Sequence, residues 1–385
     1  MTRLVWRTAG ESHGRGLVAL LEGFPAGVEL DLARIDADLA RRQGGYGRGG
    51  RMRIERDHAE VLSGLRAGRT LGSPIALLIE NRDATIERLP VPGNPRPGHA
   101  DLAGCQKLGM RDPRAVLERA SARETAARVA LAAIGRQLLE PFGIEVFAHV
   151  VELGGQAARA DAFEAAGGRR AELRAQSEFF GLDPALEEPW RRAVDQAREQ
   201  GDSLGGVFEV RALGLPPGLG SYHSGPERLT ARLGGALFSI PAIKGVEFGL
   251  GFEAARRPGS RVHDPIVPRP AGAPGSQFGR FARASNGAGG LEGGMTTGEP
   301  LVVRVAMKPI PTLRQGLPSV DFESGEPVRA TYQRSDVTSV PACSVVGEAM
   351  VLLELCDAFL SKLSGDSLDE VRGAYAAHCQ RLREL

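Results

Sequence analysis

A mixed α and β fold is what the sequence predicts, and three observations predict it. Short apolar, β-branched runs recur beside clusters of glycine. Between them lie stretches whose apolar residues repeat on a helical period. No heptad or short-period repeat organises the chain. The order of these elements leaves the sheet topology open.

Residues 3–8, 16–22, 74–80, 144–151, 205–213, 243–249 and 300–307 read as strands by composition and length. Glycine clusters at 44–50, 214–220, 245–251 and 287–298 punctuate them. A helix is predicted over 31–42, where Asp31 can cap and Leu32, Ile35 and Leu39 share a face. A longer one is predicted over 114–140, with Val116, Ala120, Ala127, Leu131, Ile134 and Leu138 on its buried side. Others fit 160–200, 226–239, 341–362 and 366–382. The charged, alanine-rich segment 158–200 reads as a peripheral helical excursion from a single domain spanning 1–385. The loops 81–98 and 257–298 exceed ordinary connection lengths, and their Gly, Arg and Asn content favours ligand contact.

Bulk properties exclude several classes. With 385 residues the chain can bury a large core, and a net charge of +1 gives no field to recruit nucleic acid or an anionic membrane. Arginine supplies 44 of the 48 basic side chains, a bias that fits a GC-rich genome or a hot habitat. Cys105, Cys343, Cys356 and Cys379 have no CxxC spacing, which points to reduced, buried thiols in a cytoplasmic protein. No apolar run has membrane-spanning length. No pair among the histidines has metal-ligand spacing beside a carboxylate or thiol, so no metal is expected.

Several motifs carry chemistry. Arg96-Pro97-Gly98-His99-Ala100-Asp101 pins an imidazole beside a guanidinium on a stiff turn. Glu118 to Glu124 adds the Ser121 hydroxyl with Arg119 and Arg123, like charges on one helical face that cost roughly a few tenths of a kcal/mol unless an anion or carboxylate sits between them. Glu118 and Glu124 are the structural partners on offer, and Glu124–Arg128 is a favourable pair. Gly10-Glu11-Ser12-His13-Gly14 follows the first strand and places a histidine where it can give a proton to a leaving oxyanion. Gln43 to Arg51 is an arginine-bearing glycine loop; it lacks the nucleotide fingerprints and is a single short copy of anything resembling an RNA-binding segment. Arg283 to Gly287 leads into Gly289 to Met295, and Met307-Lys308-Pro309-Ile310-Pro311-Thr312 forms a donor-poor wall suited to a flat ligand. Gln333-Arg334-Ser335-Asp336 precedes the helix near Pro341. His58, His149, His223, His263 and His378 are read as structural or surface residues.

Together these blocks resemble the chorismate synthase family, nearly end to end. GESHG at 10–14, RRQGGYGRGGRM at 41–52, RPGHADL at 96–102, ERASARET at 118–125, GVEFGLGF at 245–252, GGMTTGEP at 293–300, MKPIPT at 307–312 and QRSD at 333–336 follow in family order. Leu108 and Thr297 depart from the commoner tyrosine and asparagine.

The resemblance implies an α+β fold, a β-α-β sandwich with helices between two antiparallel sheets, assembled as a homotetramer. It implies that 5-enolpyruvylshikimate 3-phosphate loses phosphate and a ring proton to give chorismate, the final common step towards the aromatic amino acids. Reduced FMN is required without net redox change, the flavin lending electron density to the breaking C–O bond. NADPH enters only through flavin reduction by an external reductant. Arginines are suited to such an anionic pair of ligands, and Arg42, Arg48, Arg51, Arg96, Arg123 and Arg334 lie inside the matching motifs. By motif position His13 protonates the departing phosphate, His99 tends the flavin, Asp336 assists deprotonation, and Ser12 and Ser121 support them. Substrate contacts are expected from His13, Arg48, Arg51, Arg96, His99, Ser121, Arg123 and Arg334. Flavin-side contacts are expected from Arg42, Arg48, Ser121, Ala122, Arg123, Pro241, Ala242, Gly293, Lys308, Pro309, Ile310, Pro311, Thr312 and Arg334. Two other readings stay open on the residues alone: a different flavin or nucleotide-phosphate enzyme, and an RNA-binding protein using 44–51.

Overall fold

Two helices that are apolar on nearly every side decide the architecture: α4 (Thr125–Leu139) and α9 (Val340–Lys362). A helix without a polar face must be covered all round, and here sheets supply the cover. The computed structural model describes residues 4–49, 56–270, 272–273, 275–332 and 336–385.

The first sheet runs Val5–Ala9, Gly16–Glu22, Ile75–Glu80, Glu60–Ser63, with every pairing antiparallel. Leu17, Ala19 and Leu21 lie opposite Ile79, Leu77 and Ile75, and all six are buried, while Val18 between them is exposed. That is the alternation a one-sided sheet requires. The second sheet runs Ile243–Phe248, Leu301–Met307, Gly206–Leu213, Glu145–Leu153, Gln156–Ala157, again antiparallel throughout. Leu301, Val303 and Val305 face Ala212, Val210 and Phe208, all fully buried.

Between the sheets, α4 packs on the first and on α9, and α9 packs on the second. Helix α1 (Leu32–Gln43) lies against both, and α8 (Leu229–Phe238) packs on α9 and on Ile243–Phe248. The layers are therefore sheet, helices, sheet, as the resemblance implied, around one contiguous apolar core.

Asp31 caps α1 by accepting from the Ala33 N–H at 3.0 Å, and Ile35 and Leu39 are buried, but Leu32 is exposed. The helix expected over 114–140 is broken. Following α2 (Asp101–Leu108), it divides into α3 (Arg114–Arg119), a 3-10 turn at Ala122–Glu124, and α4. Ser121 is extended at the break and accepts the Arg123 N–H at 3.3 Å, the local competition with helix to which serine is prone. Arg119 and Arg123 consequently do not share a face: Arg119 is exposed and Arg123 buried.

Segment 160–200 forms three helices, α5 (Ala162–Ala166), α6 (Arg170–Gln176) and α7 (Glu187–Glu199). Phe163 heads a satellite cluster with Phe147 and Leu182, whereas Trp190 and Val194 join the main core. His149, expected to be structural or surface, is buried against Glu209, its Nε2 3.3 Å from the carboxylate. The stretch 257–298 contains two short hairpins, Ile266–Pro268 with Phe281–Arg283 and Leu291–Glu292 with Met295–Thr296. The chain ends in α10 (Leu368–Glu384), opened by a Ser367–Glu370 capping box.

Candidate active site

The turn after the first strand is built for close approach. Gly10 has φ +110°, and a Cβ there would come within 2.4 Å of the Gly16 carbonyl, so glycine is required. The turn docks on the last turn of α3. Ser12 N–H donates to the Glu118 carbonyl at 3.1 Å, and His13 N–H donates to Glu118 Oε2 at 2.8 Å. His13 Nδ1 lies 3.0 Å from both carboxylate oxygens of Glu118, a side chain with no exposure. A carboxylate only accepts, so the ring donates through Nδ1 and presents Nε2. Nε2 faces Asp83, 3.8 Å away, so that edge already accommodates negative charge. Burial pushes the Glu118 carboxyl up, but the bonds from His13 and Arg114 outweigh it and hold it below its ordinary range. Ser121 Oγ donates to Ser12 Oγ at 3.1 Å.

Behind this turn sit Arg42 and Arg123, each only 5% exposed. Arg123 donates from Nε to Asn81 Oδ1 at 2.8 Å and from Nη1 to Asp57 Oδ1 at 2.6 Å. Arg42 donates from Nε to Thr125 Oγ1 at 2.9 Å and from Nη2 to the Ala122 carbonyl at 2.7 Å. Its Nη1 is 3.6 Å from Asp57 Oδ2, an ion pair too long for a hydrogen bond. Arg42 Nη1, Arg123 Nη2 and Asp57 Oδ2 are buried without a hydrogen-bond partner among the described residues. Such orphans call for an explanation, and two guanidinium groups with a spare N–H each fit an anionic group. Burial draws Arg42 down to about 10, with Asp57 opposing and Arg123 and Arg48 adding to the fall. It still carries its charge at neutral pH.

Arg48 reaches Asp336 Oδ2 at 2.8 Å and Ser339 Oγ at 3.0 Å. Asp336 also accepts from Gly49 N–H at 2.6 Å and from Ser339 Oγ at 2.5 Å, which ties the glycine loop to the entry of α9.

His99 follows Gly98, whose φ of +78° makes the turn expected of it. Its Nδ1 is 2.5 Å from buried Asp101 Oδ1. Arg96 grips the same carboxylate through Nε at 2.8 Å and Nη2 at 3.0 Å, and reaches Thr312 Oγ1 at 3.4 Å. Lys308 Nζ donates to the Gly98 carbonyl, joining the proline-rich wall to this turn. Ser203 Oγ donates to the Ile310 carbonyl at 2.7 Å and Leu204 N–H to the Val337 carbonyl at 2.8 Å, so residues 203–204 join that wall to the Asp336 segment. Ala242, at φ +73°, accepts from Lys308 N–H at 3.0 Å.

The structure thus links Ser12, His13, Ser121, Ala122, Arg123 and Arg42 in one network. Arg48 and Asp336 join it through the Arg42–Arg48 field, and Arg96, His99, Ala242 and Lys308 to Thr312 form the adjoining wall. Pro241 is half-buried next to Ala242, and Pro309 is exposed on the wall. Gly293 stands apart, exposed on a hairpin tied to Leu219, Leu229 and Arg283. Arg51 and Arg334 lie outside the described residues. Of the two carboxylates on offer, Glu124 pairs with Arg119 at 4.0 Å and with Arg128 at 2.6 Å, while Glu118 serves His13 and Arg114. Sequence reasoning missed Asp57, Asn81 and Asp83. Only their position beside basic or loop residues hinted at them, because their partners are distant in sequence.

Among the described residues no group of three or more His, Cys, Asp or Glu side chains could hold a metal ion, and no helix is long and apolar enough to cross a membrane.

A three-layer α+β fold carrying fixed guanidinium groups and two carboxylate-held imidazoles marks an enzyme whose site is suited to anions. Residues 4–360 match the family model described as Chorismate synthase. The chain is 55% identical over 377 residues to the chorismate synthase of Trichlorobacter lovleyi, covering 95% of this chain and 96% of that one. It is 51% identical to that of Geobacter sulfurreducens, covering 99% of each, and 50% identical to that of Aquifex aeolicus, covering 98% of each. A crystal structure of chorismate synthase superposes with a TM-score of 0.80 at 42% identity, covering 100% of this chain and 99% of the other. The chain belongs to the chorismate synthase family, and is accordingly a lyase of the shikimate pathway.

Proposed function

We propose that this enzyme converts 5-enolpyruvylshikimate 3-phosphate to chorismate by 1,4-anti elimination of phosphate and a ring proton, with reduced FMN bound. The observation that carries the reading is the convergence of buried Arg42 and Arg123, each with an N–H that has no hydrogen-bond partner among the described residues, beside a histidine whose Nδ1 is held by Glu118. A phosphate ester bearing carboxylates needs several fixed bidentate donors, and arginine keeps its charge when buried among them.

Arg42, Arg48, Arg96 and Arg123, with Arg51 and Arg334, bind and orient the anionic groups. His13 gives a proton from Nε2 to the departing phosphate, with Ser12 and Ser121 fixing the turn beneath it. His99 stands with the Lys308–Thr312 wall on the flavin side, and Asp336 assists removal of the ring proton. Ala122, Pro241 and Ala242 complete the flavin contacts. The donor set fits FMN because the wall offers a donor-poor face and the arginines offer charge for its phosphate. Held by these residues, reduced FMN would supply electron density for C–O cleavage without net redox change. NADPH acts only through an external flavin reductant.

The protein works in this reading as one domain, in the cytoplasm, and as a homotetramer. Four buried free thiols favour a reducing compartment.

Anaerobic incubation with the substrate and pre-reduced FMN tests the proposal. Chorismate and phosphate should appear together, and only with reduced flavin. His13→Ala should lower kcat by roughly 10²–10⁴-fold with flavin affinity little changed. Turnover with oxidised flavin or none would reject the reading in favour of another phosphate chemistry.

A further inference from the structure

We propose that Glu118 is the positioning residue for His13: its carboxylate fixes the ring's orientation and keeps the neutral ring's proton on Nδ1, so that Nε2 is the atom that exchanges protons with substrate. The inference rests on the proposed role of His13 and concerns a residue outside that role.

The geometry is specific in three ways. Glu118 binds the same residue twice, taking the His13 backbone N–H at 2.8 Å and the ring Nδ1–H at 3.0 Å. The Glu118 backbone takes the neighbouring Ser12 N–H at 3.1 Å, so the turn and the ring are referenced to one helical turn. The carboxylate is itself held, by Arg114 Nη1 at 3.3 Å, and has no exposure, so it cannot drift towards water. Arg114 Nη2 also donates to the Pro90 carbonyl, which brings the 81–98 loop to the same anchor. A ring held this way cannot flip without losing a bond to a buried carboxylate, a loss that costs more than an exposed one. Acceptor-only Glu118 also selects the tautomer, the same logic by which buried carboxylates orient catalytic and metal-binding imidazoles. On the other edge Asp83 is too far from Nε2 for a hydrogen bond.

The test combines kinetics with ¹⁵N-histidine NMR on the enzyme with reduced FMN, the His13 signals being assigned by their loss in His13→Ala. The wild type should show the Nδ1-protonated tautomer. Glu118→Gln should mix the tautomers and lower kcat by roughly 10–100-fold with KM little changed. Glu118→Asp, one methylene shorter, should recover part of kcat and provides a second variant if Glu118→Gln melts early. The double variant His13→Ala/Glu118→Gln should be no slower than His13→Ala, because residues acting as a unit are not additive. An unchanged tautomer with wild-type kcat in Glu118→Gln, or multiplicative losses in the double variant, overturns the proposal. If His13→Ala alone leaves kcat intact, the proton-donor role of His13 fails, while the tautomer measurement still decides whether Glu118 sets the ring.

Discussion

Arg41 and Arg42 are consecutive on α1, and they serve opposite ends. Arg41 turns to Glu348, a fully buried carboxylate on α9 that also receives Arg136, Arg174 and the Ala148 N–H. Both Glu348 oxygens are doubly engaged, and no buried side-chain N or O in this hub lacks a partner. Arg42 turns to Asp57, where two guanidinium N–H groups and a carboxylate oxygen have no hydrogen-bond partner among the described residues. The electrostatics follow. Burial opposes the charge on Arg41, yet Glu348 and Asp38 outweigh it and raise its pKa, while burial wins at Arg42 and draws it down to about 10. A satisfied buried network stabilises and specifies the packing. One left partly open gives up stability for binding.

The hub should give the largest stability effect. Glu348→Ala leaves three arginines around an uncompensated site and should cost about 3–5 kcal/mol in chemical denaturation. A loss below about 1 kcal/mol would mean that the hub is ornamental.

Acid should expose the same contrast. Burial pushes Glu348 up, but Arg41, Arg136 and Arg174 hold it well below its ordinary 4.5. Burial likewise opposes Asp101, and His99 and Arg96 hold it below its ordinary 3.8. Folded values lie below unfolded ones, so the stability these groups contribute is present above their ordinary values and lost as pH falls through the depressed ones. Denaturation midpoints should be flat down to about pH 5 and fall below it. Glu348→Gln should flatten that fall more than Asp101→Asn; an unaltered slope would put the acid sensitivity elsewhere.

Much of this was legible in the sequence because the cues were local. Glycine clusters beside apolar runs marked the strands, Asp31 marked the start of α1, and the motif blocks marked His13, Arg42 and Arg123. The break at Ser121 was not legible, because alanine and arginine on either side favour helix and one serine hydroxyl decides the matter. The edge strand Glu60–Ser63 has only four residues, too few to show a strand alternation. Glu118, Asp57 and Asn81 were hidden for a different reason. Each takes its meaning from a partner that only the tertiary fold brings near, such as Glu118 with His13, 105 positions away.

The most direct measurement compares Arg41→Met with Arg42→Met in parallel, each by urea denaturation and by anaerobic substrate titration with reduced FMN. Arg41→Met should lose about 1.5–3 kcal/mol of stability and bind substrate within about threefold of wild type. Arg42→Met should keep its stability within about 1 kcal/mol, since relief of burial offsets its lost bonds, yet bind substrate roughly 10–100-fold more weakly. Equal stability losses, or undiminished binding by Arg42→Met, would contradict the division of labour between these two arginines.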